Sequence, residues 1–192
     1  GDGTHEHPSQ GLLDALTIRD RRGSLENLKM TILGDIQHSR VARSNIQLLG
    51  KFGCEFTLCG PAMWVPPELE KIGPPGGKIR RVSRIEEGLE DADVILVLRV
   101  QTERMYEPSL SAEEYILAYQ LNAERLRRAN PKAMILHPGP MNRGVEISPE
   151  VADGEQSCVL EQVTNGIAVR MALLFLLMSG AGEEGTNPVA DT

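Results

Sequence analysis

The feature that most constrains this 192-residue chain is a repeated alternation of short apolar segments with helical patterns. Residues 94–98 are five consecutive aliphatic residues, and residues 133–136 form a second buried segment. Runs that are apolar throughout fit strands covered on both faces. Their alternation with helices predicts an α/β fold, a doubly wound, mainly parallel sheet with helices on both faces (Rossmann-like). Other strands are predicted at 28–33, 55–58 and, as an edge, 78–82, and the longest helices at 8–22, 39–52 and 159–178.

Polar segments follow three of the predicted strands, at residues 34–40, 99–101 and 137–143. Ligands of doubly wound sheets bind beyond the carboxyl ends of the strands, so we expect these segments to converge on one edge. Residues 137–147 combine a histidine, two prolines, two glycines, an arginine and a carboxylate. Proline fixes φ and glycine admits unusual backbone shapes, so such a loop can aim its carbonyl groups at a ligand.

Two arginines are candidate ligands for a small anionic substrate. Arg40 stands near the start of a predicted helix, whose positive end favours an anion. Arg99 directly follows the most apolar strand, and its guanidinium can hold a carboxylate with two hydrogen bonds. The alternatives are a surface arginine that pairs with Asp35, and a charged residue placed where a strand reaches water.

His7 and Gln10 stand at the start of the first predicted helix. They are candidate donors to a carbonyl or phosphate oxygen, or else an ordinary cap and a polar first-turn residue. His5 and His7 have no third ligand nearby in the sequence, so no metal site is expected. The Gly-x-Gly-x-x-Gly pattern is missing after the first strand, which argues against a nucleotide cofactor and an oxidoreductase domain.

Composition narrows the class of partner. A net charge of −7 argues against a nucleic-acid binder, which needs clustered Lys and Arg. The longest apolar run, residues 171–178, is too short to span a bilayer, so no membrane association is expected. Three sparse cysteines without metal spacing indicate reduced thiols and a cytoplasmic protein.

The last predicted helix contains Gly166, which costs about 1 kcal/mol relative to alanine and therefore indicates close packing against another element. The apolar run after it has little obvious cover within the chain, which indicates a missing partner domain. The chain also begins without methionine, and we expect it to be part of a longer protein.

Six groups of residues carry a family resemblance: Gly1-Asp-Gly3; His7-Pro-Ser-Gln10 with Leu13-Asp14; Gly34-Asp35 with Ser39-Arg40; Leu98-Arg-Val-Gln101 with Glu103-Arg104; His137-Pro-Gly-Pro140; and Asn165-Gly166 with Arg170. Together they resemble the C-terminal, aspartate-binding half of the aspartate carbamoyltransferase catalytic chain. Ornithine carbamoyltransferase is the nearest competitor, but it has His-Cys-Leu-Pro at the fifth group and a Ser-Met-Gly segment that is missing here. The resemblance therefore implies aspartate as the amine substrate.

The resemblance implies carbamoyl transfer from carbamoyl phosphate to the α-amine of L-aspartate, a step of pyrimidine biosynthesis. It gives His7 the catalytic role of polarising the carbamoyl carbonyl. It assigns carbamoyl phosphate binding to His7, Gln10 and the backbone carbonyls of Gly139 and Pro140. No metal or organic cofactor is implied.

In the same family pattern, Arg40 and Arg99 bind the aspartate carboxylates, and Gln101 supports the loop that carries Arg99. The phosphate-gripping Ser-x-Arg-Thr motif belongs to an N-terminal carbamoyl phosphate domain and does not occur in this sequence. The chain is therefore expected to be inactive alone. The implied assembly is a homotrimer, in some relatives joined by regulatory or dihydroorotase-type chains.

The resemblance also implies a division of the chain. Residues 1–22 are an interdomain helix region, 23–156 the aspartate-binding domain, 157–180 a C-terminal helix that packs toward the missing N-terminal domain, and 181–192 a flexible tail. A non-catalytic scaffold or binding domain of the same fold is the alternative. The retained candidate ligands at positions 7, 10, 40, 99 and 101 disfavour it.

Overall fold

The computed structural model describes Gly3 and residues 5–100 and 110–180. Its strands are β1 (Lys29–Leu33), β2 (Glu55–Cys59), β3 (Lys78–Val82), β4 (Val94–Val97) and β5 (Met134–Leu136). They form one sheet in the order β3-β2-β1-β4-β5, and every pairing between them is parallel. The strand order reverses between β1 and β4, which makes the carboxyl ends of these two strands the expected crevice.

The helices are α1 (Pro8–Arg22), α2 (Arg40–Leu49), α3 (Ile85–Leu89), α4 (Ala112–Tyr119), α5 (Ala123–Leu126), α6 (Pro149–Ala152) and α7 (Val159–Gly180). Short 3₁₀ helices span Gly50–Phe52, Ala62–Trp64 and Pro67–Lys71. The helix predicted at 39–52 is thus α-helical only to Leu49 and then tightens. Helix α6 was not predicted, because four residues are too few for a hydrophobic period to show.

Two hydrophobic cores lie on opposite faces of the sheet. Ile32, Phe56 and Leu96 belong to one cluster with apolar side chains of α1 and α2. Leu33 and Ile95 belong to the other, together with side chains of α3, α5 and α6. Alternate residues of β1 and β4 therefore bury their side chains on opposite faces. This arrangement confirms the doubly wound α/β prediction.

Local signals fix the ends of several helices. Helix α1 ends at Gly23, whose φ of 80° is left-handed and whose N–H donates to Arg19 O at 2.7 Å. Ser39 caps α2 by accepting from Ala42 N at 3.1 Å. Ser111 and Glu114 form a capping box at the start of α4.

Helix α7 packs along α1 and confirms the close approach predicted at Gly166. A Cβ added there would lie 3.3 Å from Leu13 Cδ2 and 2.6 Å from the guanidinium of Arg170. The rest of α7 is mostly uncovered within the described chain. Its exposed apolar residues are Leu160, Val163, Ile167, Met171, Leu174, Phe175, Leu176, Leu177 and Met178.

By length and composition, α7 could also cross a membrane. An 18-residue window in 159–179 has a mean hydropathy of 1.4, and 11% of that window is buried. A soluble helix with an apolar docking face passes the same test, so this finding alone is weak support for a membrane span.

Candidate functional site

A cavity of about 270 Å³ opens at the carboxyl ends of β1, β4 and β5, where the strand order reverses. Larger clefts of about 540 and 610 Å³ lie at the amino-terminal edge, beside Met134 and Lys29 respectively, and contain none of the predicted site residues. The residues that line the carboxyl-edge cavity are His7, Gln10, Asp35, His38, Ser39, Arg40, Val41, Leu98, Arg99, Pro138, Gly139 and Pro140.

His7 is the N-cap of α1, and its ring has a defined proton arrangement. Its Nδ1 accepts from the backbone N–H of Gln10 at 3.3 Å, and the backbone N–H of His7 donates to Ser44 Oγ at 2.8 Å. A nitrogen that accepts from a backbone N–H carries no proton, so neutral His7 has its proton on Nε2. Partial burial, followed by the charge of Arg40, lowers the pKa of His7. The ring is therefore a neutral N–H donor beside the cavity.

Gln10 lies in the first turn of α1, is buried and lines the same cavity. Its Nε2 donates to Asp14 Oδ1 at 2.9 Å. Since the amide nitrogen is used in this way, the Oε1 acceptor is the end of the side chain that remains for a ligand. The capping function of His7 and the first-turn position of Gln10 thus coexist with their places on the cavity wall.

The two predicted arginines reach the cavity from different strands. Arg40 is the first residue of α2, after β1, and its Nη1 donates to the carbonyl of Gly3. Arg99 follows β4 and is half-buried. Asp35, the alternative partner of Arg40, accepts instead from His38 Nδ1 at 2.8 Å. Gln101, predicted to support the Arg99 loop, lies outside the described residues.

The loop after β5 brings Pro138, Gly139 and Pro140 to the cavity. His137 is fully buried and anchors the loop, because its Nδ1 accepts from Gly139 N at 2.9 Å. Its Nε2 therefore carries the proton and donates to Glu146 Oε1 at 3.1 Å. Asn142 Nδ2 donates to Val100 O at 2.8 Å, which ties this loop to the segment that follows β4.

Among the polar cavity residues, His38 was given no role from the sequence, and Asp35 was considered only as a partner of Arg40. Asp35 and His38 fall inside segment 34–40, and their spacing of three allows a side-chain pair across a tight turn. His38 N and Nδ1 both contact Asp35 Oδ1, at 3.2 and 2.8 Å. Pro138 also lines the cavity, and the prediction that the 137–147 loop faces a ligand could have included it.

The cavity thus combines two guanidinium groups, a neutral imidazole donor and a set of oxygen acceptors. Asp35, which lines the same cavity, is 7% exposed and is covered by His38. Such a set can hold an anion, polarise a carbonyl group and accept hydrogen bonds from an NH₂ group.

Comparison with known proteins shows which family has a matching sequence. Residues 26–177 match the family described as "Aspartate/ornithine carbamoyltransferase, Asp/Orn binding domain". Similar proteins include the aspartate carbamoyltransferase catalytic subunits of Pelotomaculum thermopropionicum (57% identical, covering 94% of this chain and 57% of that protein) and Moorella thermoacetica (55% identical, covering 94% and 58%). The chain therefore spans about half the length of these relatives.

Solved structures show the same relationship. Aspartate transcarbamoylase from Trypanosoma cruzi, in complex with N-(phosphonacetyl)-L-aspartic acid, is 30% identical with a TM-score of 0.74, over 91% of this chain and 55% of that one. Ornithine carbamoyltransferase from Pyrococcus furiosus is 26% identical with a TM-score of 0.75, over 92% and 58%. By fold, sequence and the residues matched, the chain belongs to the aspartate/ornithine carbamoyltransferase family, in its Asp/Orn-binding domain.

Proposed function

We propose that this chain is the L-aspartate-binding half of an enzyme that transfers a carbamoyl group from carbamoyl phosphate to the α-amine of L-aspartate. The products are N-carbamoyl-L-aspartate and phosphate, in pyrimidine biosynthesis. The observation that carries this proposal is the meeting of His7, Gln10, Arg40, Arg99 and the 138–140 loop around one cavity. These residues come from four separate stretches of the chain.

The subsite for L-aspartate, which accepts the carbamoyl group, is cationic, as a dicarboxylic amino acid requires. Arg40 and Arg99 bind the two carboxylates of L-aspartate, and Gln101 supports the Arg99 loop. Asp35 would repel these carboxylates and attract a second amino group. His38 covers it by contacting both carboxylate oxygens, at 2.8 and 3.0 Å, which favours aspartate over ornithine.

In the reaction, the unprotonated α-amine attacks the carbonyl carbon of carbamoyl phosphate and a C–N bond forms. The carbonyl oxygen becomes an oxyanion, which accepts the Nε2–H of neutral His7. When the C–O bond to phosphate breaks, the leaving phosphate accepts the proton lost by the amine. Catalysis rests on positioning and charge stabilisation, without a metal or organic cofactor.

The carbamoyl NH₂ group is recognised by oxygen acceptors. Gln10 presents Oε1, and the backbone carbonyls of Gly139 and Pro140 lie on the same wall of the cavity. The N–H of Gly139 is already used by His137, so this loop offers its carbonyl groups to a ligand. A substrate that lacked this NH₂ group would leave these hydrogen-bond acceptors unpaired.

The phosphate is held by an N-terminal carbamoyl phosphate domain, and the chain is inactive without it. The exposed residues Leu160, Val163, Ile167, Met171 and Leu174 recur at intervals of three and four along α7. Over residues 160–174 such a stripe suits packing against another protein domain better than lipid on all sides, although the consecutive exposed residues 175–178 are apolar all round. The assembled enzyme is a cytoplasmic homotrimer, with regulatory or dihydroorotase-type chains as further partners.

The first test is chemical. The intact mass of the natural protein should exceed the 21.0 kDa of this chain by at least another domain. The full-length protein should form N-carbamoyl-L-aspartate from carbamoyl phosphate and L-aspartate, and no citrulline when L-ornithine is supplied. Absence of product with L-aspartate would favour the non-catalytic scaffold.

The second test separates aspartate binding by the two arginines, the proposed clamp, from the rest of the site. Arg99→Ala removes a charged, two-hydrogen-bond partner, so the KM for L-aspartate should rise by roughly 30-fold while that for carbamoyl phosphate changes about twofold at most. Arg80→Ala is the matched control, because Arg80 lines the cleft at the opposite edge of the sheet. An unchanged aspartate KM in Arg99→Ala would show that the assigned clamp is wrong.

A further inference from the structure

Behind the cavity, Asp14 is a fully buried carboxylate whose recorded side-chain partners are all neutral amides. Its Oδ1 accepts from Gln10 Nε2 at 2.9 Å and from Gln162 Nε2 at 2.7 Å. Its Oδ2 accepts from Asn45 Nδ2 at 2.8 Å. One side chain of α1 thereby joins α2 and α7 at the base of the site.

This carboxylate determines which way two amide groups point. An ionised carboxylate only accepts hydrogen bonds, so both glutamines must turn their NH₂ groups toward Asp14. Gln10 then keeps its Oε1 for the cavity. Gln162 turns its Oε1 toward the backbone N–H of His137, which donates to it at 2.9 Å.

Resting on the function proposed above, we propose that Asp14 is a positioning residue for recognition of the carbamoyl donor. Its carboxylate orients the amide of Gln10 directly and, through Gln162, fixes the start of the 137–140 loop. The oxygen acceptors of both elements thereby converge on the carbamoyl NH₂ group. Asp14 touches no substrate itself.

Burying the Asp14 carboxylate costs free energy, which indicates that this residue has a role beyond packing. Desolvation raises the pKa of Asp14 to about 6, against the three amide hydrogen bonds that lower it. A neutral side chain would avoid that penalty. Asn45 Oδ1, moreover, is buried without a partner among the described residues, so a donor at position 14 could have satisfied it. An acceptor-only carboxylate instead keeps all three amides in one orientation.

The test compares two donors of nearly equal shape. Carbamoyl phosphate carries an NH₂ group where acetyl phosphate carries a methyl group, so only the former uses the acceptors that Asp14 orients. In the full-length enzyme, Asp14→Leu should weaken carbamoyl phosphate binding about 10-fold, as expected for one or two lost hydrogen bonds. The inhibition constant of acetyl phosphate should stay within about twofold.

A double-variant cycle shows whether Asp14 acts through Gln10. The loss in Asp14→Leu/Gln10→Ala should be smaller than the product of the two single losses, because both variants remove the same oriented acceptor of Gln10, whereas independent effects would multiply. Asp14→Asn, which keeps an oxygen toward both glutamines, should restore the preference for carbamoyl phosphate. Asn45→Ala is the control from the same cluster. It should lower stability without changing that preference.

If Asp14→Leu does not fold, Gln162→Met carries the test. It removes the bridge from Asp14 to the backbone N–H of His137 and leaves Asp14 and Gln10 in place, so it should show a smaller loss with the same selectivity for carbamoyl phosphate. Equal weakening of both phosphates, or multiplying effects in the cycle, would overturn the inference while leaving the proposed function intact. A wild-type enzyme that forms no N-carbamoyl-L-aspartate would instead refute the proposed function itself.

Discussion

Two His-Pro segments contribute residues to the cavity wall, one at the start of α1 and one after β5, and they use the same local hydrogen bond differently. In each, histidine Nδ1 accepts from a backbone N–H, from Gln10 at 3.3 Å for His7 and from Gly139 at 2.9 Å for His137. Both neutral rings therefore carry the proton on Nε2. The difference lies in where that proton is directed.

His137 is 2% exposed and gives its Nε2–H to the buried carboxylate of Glu146. His7 is only partly buried and stands on the cavity wall. The same motif and the same tautomer thus direct one N–H into the interior and leave the other beside the cavity. The two rings differ because the described residues supply an internal acceptor for the Nε2–H of His137.

The largest expected effect is on catalysis, at His7. In the proposed reaction, His7→Ala removes the donor to the developing oxyanion, so kcat should fall by roughly 10²- to 10³-fold. Steady-state kinetics on the full-length enzyme would measure this loss, with the unfolding midpoint as a check on folding. His5→Ala, an exposed histidine two residues earlier, is the control and should keep full activity. A His7→Ala enzyme with near-normal kcat would end the distinction between the two histidines.

The second effect is on stability, at His137. His137→Ala leaves the Glu146 carboxylate buried without its imidazole partner, so the free energy of unfolding should drop by about 3 kcal/mol. Urea unfolding measures this drop. Glu146→Gln keeps an acceptor for Nε2–H and should cost about 1 kcal/mol. Equal losses in the two variants would show that the charge of Glu146 is irrelevant.

Much of the fold and most of the candidate site residues could be predicted from the sequence. Alternating buried strands and helices were sufficient to predict the sheet, its two covered faces and the edge that holds the site. His7, Gln10, Arg40, Arg99, Gly139 and Pro140 were predicted and line one cavity. The strand order follows from tertiary packing, which no local pattern encodes.

The interior polar network was beyond the sequence for a physical reason. Asp14 and Gln162 are 148 positions apart and meet only because α1 packs along α7. Asp14 was noted as part of a family motif, but no spacing identifies its partners. Likewise, nothing local tells that His137 faces Glu146 in the interior while His7 reaches the cavity.

A buried acid contacts each His-Pro segment, Glu146 at His137 and Asp14 at Gln10, and Asp14 gives the third prediction. The pKa of Asp14 is raised from 3.8 to about 6 by desolvation. The folded state therefore binds this proton more tightly than the unfolded state, and its contribution to stability falls as pH rises between those two values. The loss is about 3 kcal/mol once Asp14 is fully ionised.

Asp14→Asn cannot ionise and should lack this loss. Relative to the wild type, its free energy of unfolding should therefore increase between about pH 4 and pH 7, where other titrating groups cancel in the difference. Urea unfolding at several pH values measures it. A difference that is constant with pH would show that the buried carboxylate carries no such penalty.

The smallest effect concerns what holds His7 in place. Ser44 Oγ accepts from the backbone N–H of His7 at 2.8 Å, and Ser44 is 4% exposed. Ser44→Ala leaves that N–H with one acceptor fewer, so stability should fall by about 1 kcal/mol. Because the cap also sets the ring on the cavity wall, kcat should fall by roughly two- to fivefold. Asn142→Ala, which releases the other segment from Val100 O, is the counterpart. It should raise the KM for carbamoyl phosphate more than it lowers kcat, because in the proposed site the segment it frees supplies backbone acceptors and no proton.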